Sequence, residues 1–392
     1  MCSRVFWPDN PIAAVAARTM DWAISDEPEI WVLPRGMSRT GGDDPHAIEW
    51  ISQYGSVTVS GFGVGITDGI NEVGLGFHLL YLEETTYEAA DTRPTVSNTR
   101  VMQLIADTCA NVAEAVARLN EVRIYSTPVN GEHLGVHFSF EDSSGDSAIV
   151  EIVEGITRVH HERSCTVMTN DPIYEEQLVN LARYRPFGGE LPLPGDILSP
   201  DRFVRASYFL HYLPEPQTYA EALAGPVLIA RNVAVPPGAP YDDFAVYPTW
   251  WISAVDVTNL AYYFQVVTSP NLIWLELGDL DFREGAPVLS LDPKTEGLIG
   301  DPRRRGHRHD EVDRDDDDLQ QGQRRHPLPM VTEVPGALLE RVSRLPAVVD
   351  RNGEREVEPD DTDRHDGEER RHRVDGPLGR ADVDLPQRRQ RE

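Results

Sequence analysis

The opening stretch, from Cys2-Ser3-Arg4 to Arg18-Thr19-Met20-Asp21-Trp22, constrains this chain more than any other part of it. Val5-Phe6-Trp7, the turn-forming Pro8-Asp9-Asn10-Pro11, and Ile12 to Ala17 read as two short strands joined by a tight connection. Such a hairpin returns Arg18 and Asp21 towards Cys2. Removal of Met1, which the small second side chain permits, makes Cys2 a terminal residue carrying both a thiol and an α-amine. The amine, with a reference pKa of about 7.7 to 8.0, can take the thiol proton near neutral pH, so no separate histidine is required. A guanidinium beside the sulfur favours the thiolate, and a carboxylate can hold the amine in place. A surface ion pair between Arg18 and Asp21 is the other reading of the spacing alone.

Composition narrows the partners. Of 392 residues, 65 are acidic and 36 basic. Residues 301–392 hold 24 acidic and 19 basic side chains, which leaves 41 and 17 before them. The negative charge is concentrated in the front part, which argues against nucleic acid or an anionic membrane as partner. Cys2, Cys109 and Cys165 form no CxxC or zinc spacing, and the latter two are expected as buried apolar residues. No apolar run is long enough to cross a bilayer and nothing resembling a secretion signal precedes Cys2, so a cytoplasmic enzyme is expected.

Along the chain, residues 28–33, 47–51, 55–59 and 74–81 are rich in aromatic and β-branched side chains and read as strands. Helical spacing over 98–119 predicts a helix or helical pair, and 136–140 with 148–153 a second meander. Helices are expected at 174–184, 199–213 and 219–229, and strands at 250–255, 260–267 and 272–277. Without regular alternation of strand and helix, this order points to an α+β fold. After Gly300 the chain is poor in aromatics and full of Arg, Asp, Glu and Pro, which predicts a disordered tail, 301–392, behind a folded domain, 1–300. His160-His161 on a strand point to opposite faces, the aspartate run at 315–318 lacks calcium-loop spacing, and Gly61-Phe62-Gly63-Val64-Gly65 lacks a phosphate-binding context. No metal or cofactor is therefore expected, and the glycine stretch reads as close packing or a flexible loop.

Several ordered motifs carry a resemblance: Cys2, Arg18-Thr19-Met20-Asp21-Trp22, 68–75, 144–151, Val167-Met168-Thr169-Asn170-Asp171-Pro172, Leu193-Pro194-Gly195 with Arg202-Phe203-Val204-Arg205, 231–236 and Ser269-Pro270-Asn271. In this order they resemble the choloylglycine hydrolase family of N-terminal-nucleophile amidases, which includes penicillin V acylases and conjugated bile salt hydrolases. The resemblance implies a four-layer αββα sandwich and a cysteine amidohydrolase acting on non-peptide linear amide bonds. It implies Cys2 as nucleophile, Arg18 as the cation at the thiol and Asp21 as the carboxylate at the α-amine. Asn170 and the backbone N–H of Tyr81 would be oxyanion donors, and Arg202 a further cation near the cysteine. Tyr81, where bile salt hydrolases tend to carry Asn, favours a penicillin V acylase-like enzyme over a bile salt hydrolase, with acyl-homoserine lactone acylase activity overlapping. Met20, Trp22 and Tyr81, with some of Phe77 to Leu80, would form an apolar acyl pocket for a small-molecule amide. Relatives are often homotetramers. A catalytically silent member that binds amphipathic acyl ligands is the rival from another class.

Overall fold

The computed structural model describes residues 2–241 and 245–304. The expected charged tail lies outside the described residues from 305 onward. In chain order, β1 (Cys2–Trp7) and β2 (Val15–Asp21) form the opening hairpin, followed by β3 (Glu29–Leu33), the short pair β4 (Ser38–Thr40) and β5 (Glu49–Ile51), β6 (Ser56–Gly61), β7 (Gly65–Asn71) and β8 (Gly76–Tyr81). Then come β9 (Thr95–Ser97), helices α1 (Val101–Thr108) and α2 (Val112–Glu121), β10 (Arg123–Tyr125), β11 (Val136–Glu141), β12 (Ser147–Val153), β13 (Ile156–His161) and β14 (Val167–Met168). The last part holds α3 (Tyr174–Leu181), α4 (Ser199–His211), α5 (Tyr219–Val233), β15 (Thr249–Asp256), β16 (Ala261–Val266), β17 (Ile273–Glu276) and β18 (Leu289–Leu291).

Two antiparallel sheets dominate, one ordered β14-β1-β2-β15-β16-β17 and the other β13-β12-β11-β8-β7-β6-β3-β18. Period-two alternation explains how they stack. On β8, Phe77 and Leu79 pack with Phe138 and Phe140 beneath α1 and α2, whereas Leu80 joins Val57, Val59, Ile70 and Ile149 in the core shared with the first sheet. The outer face of that first sheet is covered by α4 and α5, which pack on β1, β2 and β15. The layers are therefore helix, sheet, sheet, helix, the αββα sandwich expected from the resemblance.

This layering explains why β1 and β2 are buried along their whole length, arginines included. A strand with neighbours on both edges and layers on both faces has no solvent side, so its polar residues need internal partners. The α5 face towards the sheet is made of small residues, Ala222, Gly225 and Ala230 among them, which lets the helix come close; a Cβ on Gly225 would lie 3.0 Å from the Trp7 ring. The helical pattern over 98–119 resolves into two helices, the second begun by Asn111, whose side chain accepts from the Glu114 N–H while Glu114 accepts from the Ala110 N–H. The hairpin connection is longer than the tight turn read from the sequence, since β2 starts only at Val15. Strand β7 lies outside the strands that periodicity picks out, because Thr67-Asp68-Gly69 interrupts its apolar alternation. Among the described residues no helix is long and apolar enough to cross a membrane.

Candidate active site

Cys2 opens β1 and pairs with Met20 of β2, a register that also sets Arg4 opposite Arg18. The residue is 2% exposed. Its backbone nitrogen donates to Oδ1 of Asn170 at 2.5 Å, and its sulfur accepts from Nη2 of Arg18 at 3.4 Å. The Met20 sulfur lies 3.7 Å from the Cys2 sulfur. The nitrogen and the sulfur of Cys2 thus each have a fixed polar neighbour of their own.

Arg202, fully buried on α4, ties the surroundings together. Its Nη1 donates to the Cys2 carbonyl at 2.6 Å and to the Ser3 hydroxyl at 2.5 Å, and its Nη2 to Asn170 Oδ1 at 2.9 Å. The same guanidinium lies 3.8 Å from the Asp21 carboxylate, which also accepts from Thr249 at 2.6 Å. Burial pushes the Asp21 carboxyl above its ordinary value, and Arg202 opposes that shift. Arg202 is therefore buried and paired, where helical spacing alone would have made it a solvated residue. The amide orientation of Asn170 is fixed from both ends, since Oδ1 receives the guanidinium while Nδ2 donates to the Tyr81 carbonyl at 2.7 Å.

Tyr81 ends β8 opposite Val136. Leu82, one residue on, donates its N–H to Gly135, so ladder alternation turns the N–H and C=O of Tyr81 to the other edge, towards Asn170. Its ring stacks edge-on with Trp22 at 5.3 Å between centroids, and burial with the charges of Glu83 and Asp171 pushes its phenol up to about 12. Burial and Asp171 likewise push Glu84 up to about 7.

A largely apolar cavity opens at the Cys2 sulfur, walled by Met20, Trp22, Phe62, Leu79, Tyr81 and Val136 among others. Of the stretch 77–80 only Leu79 lines it; Phe77 is buried under α1, His78 in an ionic network, and Leu80 between the sheets. The glycine stretch read as close packing or a loop supplies Gly61, Phe62, Val64 and Gly65 to the wall. An aromatic residue between glycines was the available signal. Gly65 is required there, because a Cβ would sit 2.3 Å from the Thr99 carbonyl. A larger open cavity of about 940 Å³ lies between the β1–β2 connection and α3–α4, and Cys2 is not among the residues that line it.

His160 and His161 do face opposite ways. His161 meets Asp146 at 2.8 Å, and His160 lies 3.7 Å from Glu151 and 3.6 Å from Glu175. Glu151, His160 and Glu175 are the group among the described residues whose donor atoms lie close enough together for a metal ion, within 4.8 Å. The Glu151 carboxylate there already accepts from the Tyr174 N–H at 3.1 Å and from His137. Cys109 and Cys165 are buried and unbridged, and burial pushes the Cys109 thiol up to about 11.

The sequence profile of the linear amide C-N hydrolases, choloylglycine hydrolase family, matches residues 2–290. The chain belongs to the choloylglycine hydrolase family. It is 34% identical to penicillin V acylase of Pectobacterium atrosepticum over 319 residues, covering 74% of this chain and 85% of that protein. Among solved structures, penicillin V acylase from Agrobacterium tumefaciens superposes with a TM-score of 0.70 at 36% identity, over 76% of this chain and 95% of that one. The C2A mutant of conjugated bile acid hydrolase from Clostridium perfringens matches with a TM-score of 0.64 at 18% identity, over 74% and 96%, and bears on the fold alone. Membership in this family makes the protein a hydrolase of linear amide C–N bonds.

Proposed function

We propose that the protein is a penicillin V acylase-like amidase whose nucleophile is the thiol of Cys2, freed at the terminus by loss of Met1. The observation that carries this reading is the separate anchoring of the two Cys2 atoms, nitrogen on Asn170 and sulfur on Arg18, at the mouth of an apolar cavity.

The Cys2 α-amine takes the thiol proton, and the sulfur attacks the amide carbonyl of the substrate. Negative charge then gathers on the carbonyl oxygen. The second hydrogen of Asn170 Nδ2 and the Tyr81 N–H are the fixed donors available to it, and donors set in advance stabilise the tetrahedral intermediate without reorganisation. As the intermediate collapses, the C–N bond breaks and the ammonium of Cys2 passes its proton to the departing amine. Water, activated by the same amine, releases the acid from the thioester. Arg18 favours the thiolate, while Arg202 and Asp21 hold the Cys2 backbone and the charge around it. Trp22, Phe62 and Leu79 offer an aromatic and aliphatic wall suited to a phenoxyacetyl group. Tyr81, at the position where bile salt hydrolases tend to carry Asn, supports the same ranking.

The test is a panel of penicillin V, glycine- and taurine-conjugated bile acids and long-chain acyl-homoserine lactones, scored by amine release for wild type and Cys2→Ala. Turnover is expected to be fastest with penicillin V and absent in Cys2→Ala. A preference for conjugated bile acids would overturn the substrate assignment, and wild-type turnover in Cys2→Ala would overturn the mechanism.

A further inference from the structure

Between the two sheets runs a row of fully buried ionisable side chains, of which the steps above use only Arg18. Arg4 of β1 meets Glu141 of β11 at 2.5 Å, and the other Glu141 oxygen lies 2.7 Å from His78 Nε2 on β8. His78 Nδ1 is hydrogen-bonded to Asp68 Oδ1 on β7, and Asp68 Oδ2 accepts from the Tyr262 hydroxyl of β16 at 2.5 Å. The row ends at Arg18 of β2, whose Nη1 is 3.8 Å from Asp68 Oδ1.

Two carboxylates facing the two ring nitrogens require both to be donors, which makes His78 an imidazolium. Burial opposes that charge, but Glu141 and Asp68 outweigh it and raise the ring's affinity for its proton. The charges then alternate along the row, from Arg4 through Glu141, His78 and Asp68 to Arg18. A carboxylate this close to a guanidinium ordinarily captures it in a two-point hydrogen bond. Here it does not. Arg18 Nη1 donates to the carbonyls of Thr67 at 2.8 Å and Leu79 at 3.0 Å, and Nη2 is left for the sulfurs of Cys2 at 3.4 Å and Met20 at 3.5 Å. Both Asp68 oxygens are already engaged by His78 and Tyr262.

We infer that His78 and Tyr262 are positioning residues for the reaction: by occupying both oxygens of Asp68 they let it balance the charge of Arg18 without turning the guanidinium away from the Cys2 sulfur. This rests on Cys2 as the nucleophile. The other ionisable groups coupled to this part of the site are Tyr241, which feels Cys2, Asp21 with Arg202 beside the Cys2 backbone, and Asp26, which feels Arg18; the ring nitrogens of His78 meet Asp68 and Glu141 instead.

The experiment is the pH profile of Cys2 alkylation by iodoacetamide, read on the N-terminal peptide, for wild type, His78→Gln and Tyr262→Phe, with kcat and KM on penicillin V over the same pH range. In His78→Gln the pH of half-maximal alkylation is expected to rise by about one unit, a roughly tenfold slower reaction on the acid side. At neutral pH kcat should fall about tenfold and recover as pH is raised, with KM within about twofold, a rescue that a merely loosened fold would not show. Tyr262→Phe, which changes no charge, should move the profile the same way by less. Folded His78→Gln with a wild-type profile overturns the inference. Should His78→Gln not fold, an unshifted profile in Tyr262→Phe overturns it equally. If wild-type Cys2 reacts no faster than Cys109 and Cys165, the nucleophile reading itself falls and takes this inference with it.

Discussion

Asn170 offers the sharpest test of the site, because one small amide makes three contacts that separate by chemistry. Oδ1 accepts from the Cys2 nitrogen and Arg202, while Nδ2 donates to the Tyr81 carbonyl and has a second hydrogen, which the proposed mechanism gives to the oxyanion. Asn170→Ala removes a preset oxyanion donor, a loss of about 10² to 10³ in kcat, or roughly 2.7–4 kcal/mol of barrier. It also releases the Cys2 nitrogen, and a hydrogen bond of that kind contributes about 1 kcal/mol, a further factor of roughly five. A fall in kcat of about 10³ with KM within about threefold is therefore expected. Asn170→Asp is the discriminating variant. A carboxylate keeps the acceptor for Arg202 and the Cys2 nitrogen but sets an acceptor oxygen against the Tyr81 carbonyl, so a modest loss of thermal stability is expected; it has no hydrogen for the oxyanion and places negative charge beside it. Its kcat should fall at least as far as that of the alanine variant. Steady-state amine release from penicillin V measures both. An Asn170→Asp enzyme within about fivefold of wild-type kcat would refute the donor assignment.

Other expectations are checked separately. Arg4→Met leaves Glu141 buried without its nearest cation and should destabilise the fold by about 3–5 kcal/mol in urea unfolding; a cost below about 1 kcal/mol would contradict the buried pairing. Asp26, fully buried and bonded through both oxygens to the Trp251 indole, is pushed by burial up to about 6. Its folded form holds the proton more tightly than the unfolded chain, so this contribution is present below about 3.8 and lost as pH rises through about 6, a change of about 3 kcal/mol. Asp26→Asn should lack that loss, so its stability relative to wild type should improve between pH 4 and 7. Trp22→Ala opens the acyl wall beside Tyr81 and should raise KM for penicillin V by about tenfold, from an aromatic burial of roughly 1.5 kcal/mol or more, with kcat less affected.

The hairpin was legible because its turn residues and apolar runs are local, and the β1–β2 register does bring Met20 and Arg18 beside Cys2. Asn170 and Arg202 are singled out only through resemblance, since an asparagine before Asp171-Pro172 equally suits a cap or turn and an arginine in a helical pattern equally suits a solvated face. The row from Arg4 to Arg18 stayed hidden for a different reason. Asp68, His78 and Glu141 lie far apart in sequence, and what joins them is the pairing of β7, β8 and β11 against a second sheet. Period-two reading shows that a polar residue faces the same side as Leu80; it does not show that two neighbouring strands bring carboxylates to meet it. The cavity wall from Phe62 to Gly65 was missed because glycine spacing reads as flexibility until a neighbouring carbonyl is seen to demand it.

Cys2 stands at the head of a strand enclosed on both edges and both faces, and under the proposed mechanism a chain joined to its nitrogen caps the very atom that has to carry the proton. An affinity tag or fusion partner placed there is expected to mask that amine, and a preparation made that way to be inert however well it folds. Purification handles therefore belong elsewhere, and the first check on any inactive batch is the mass of its leading peptide.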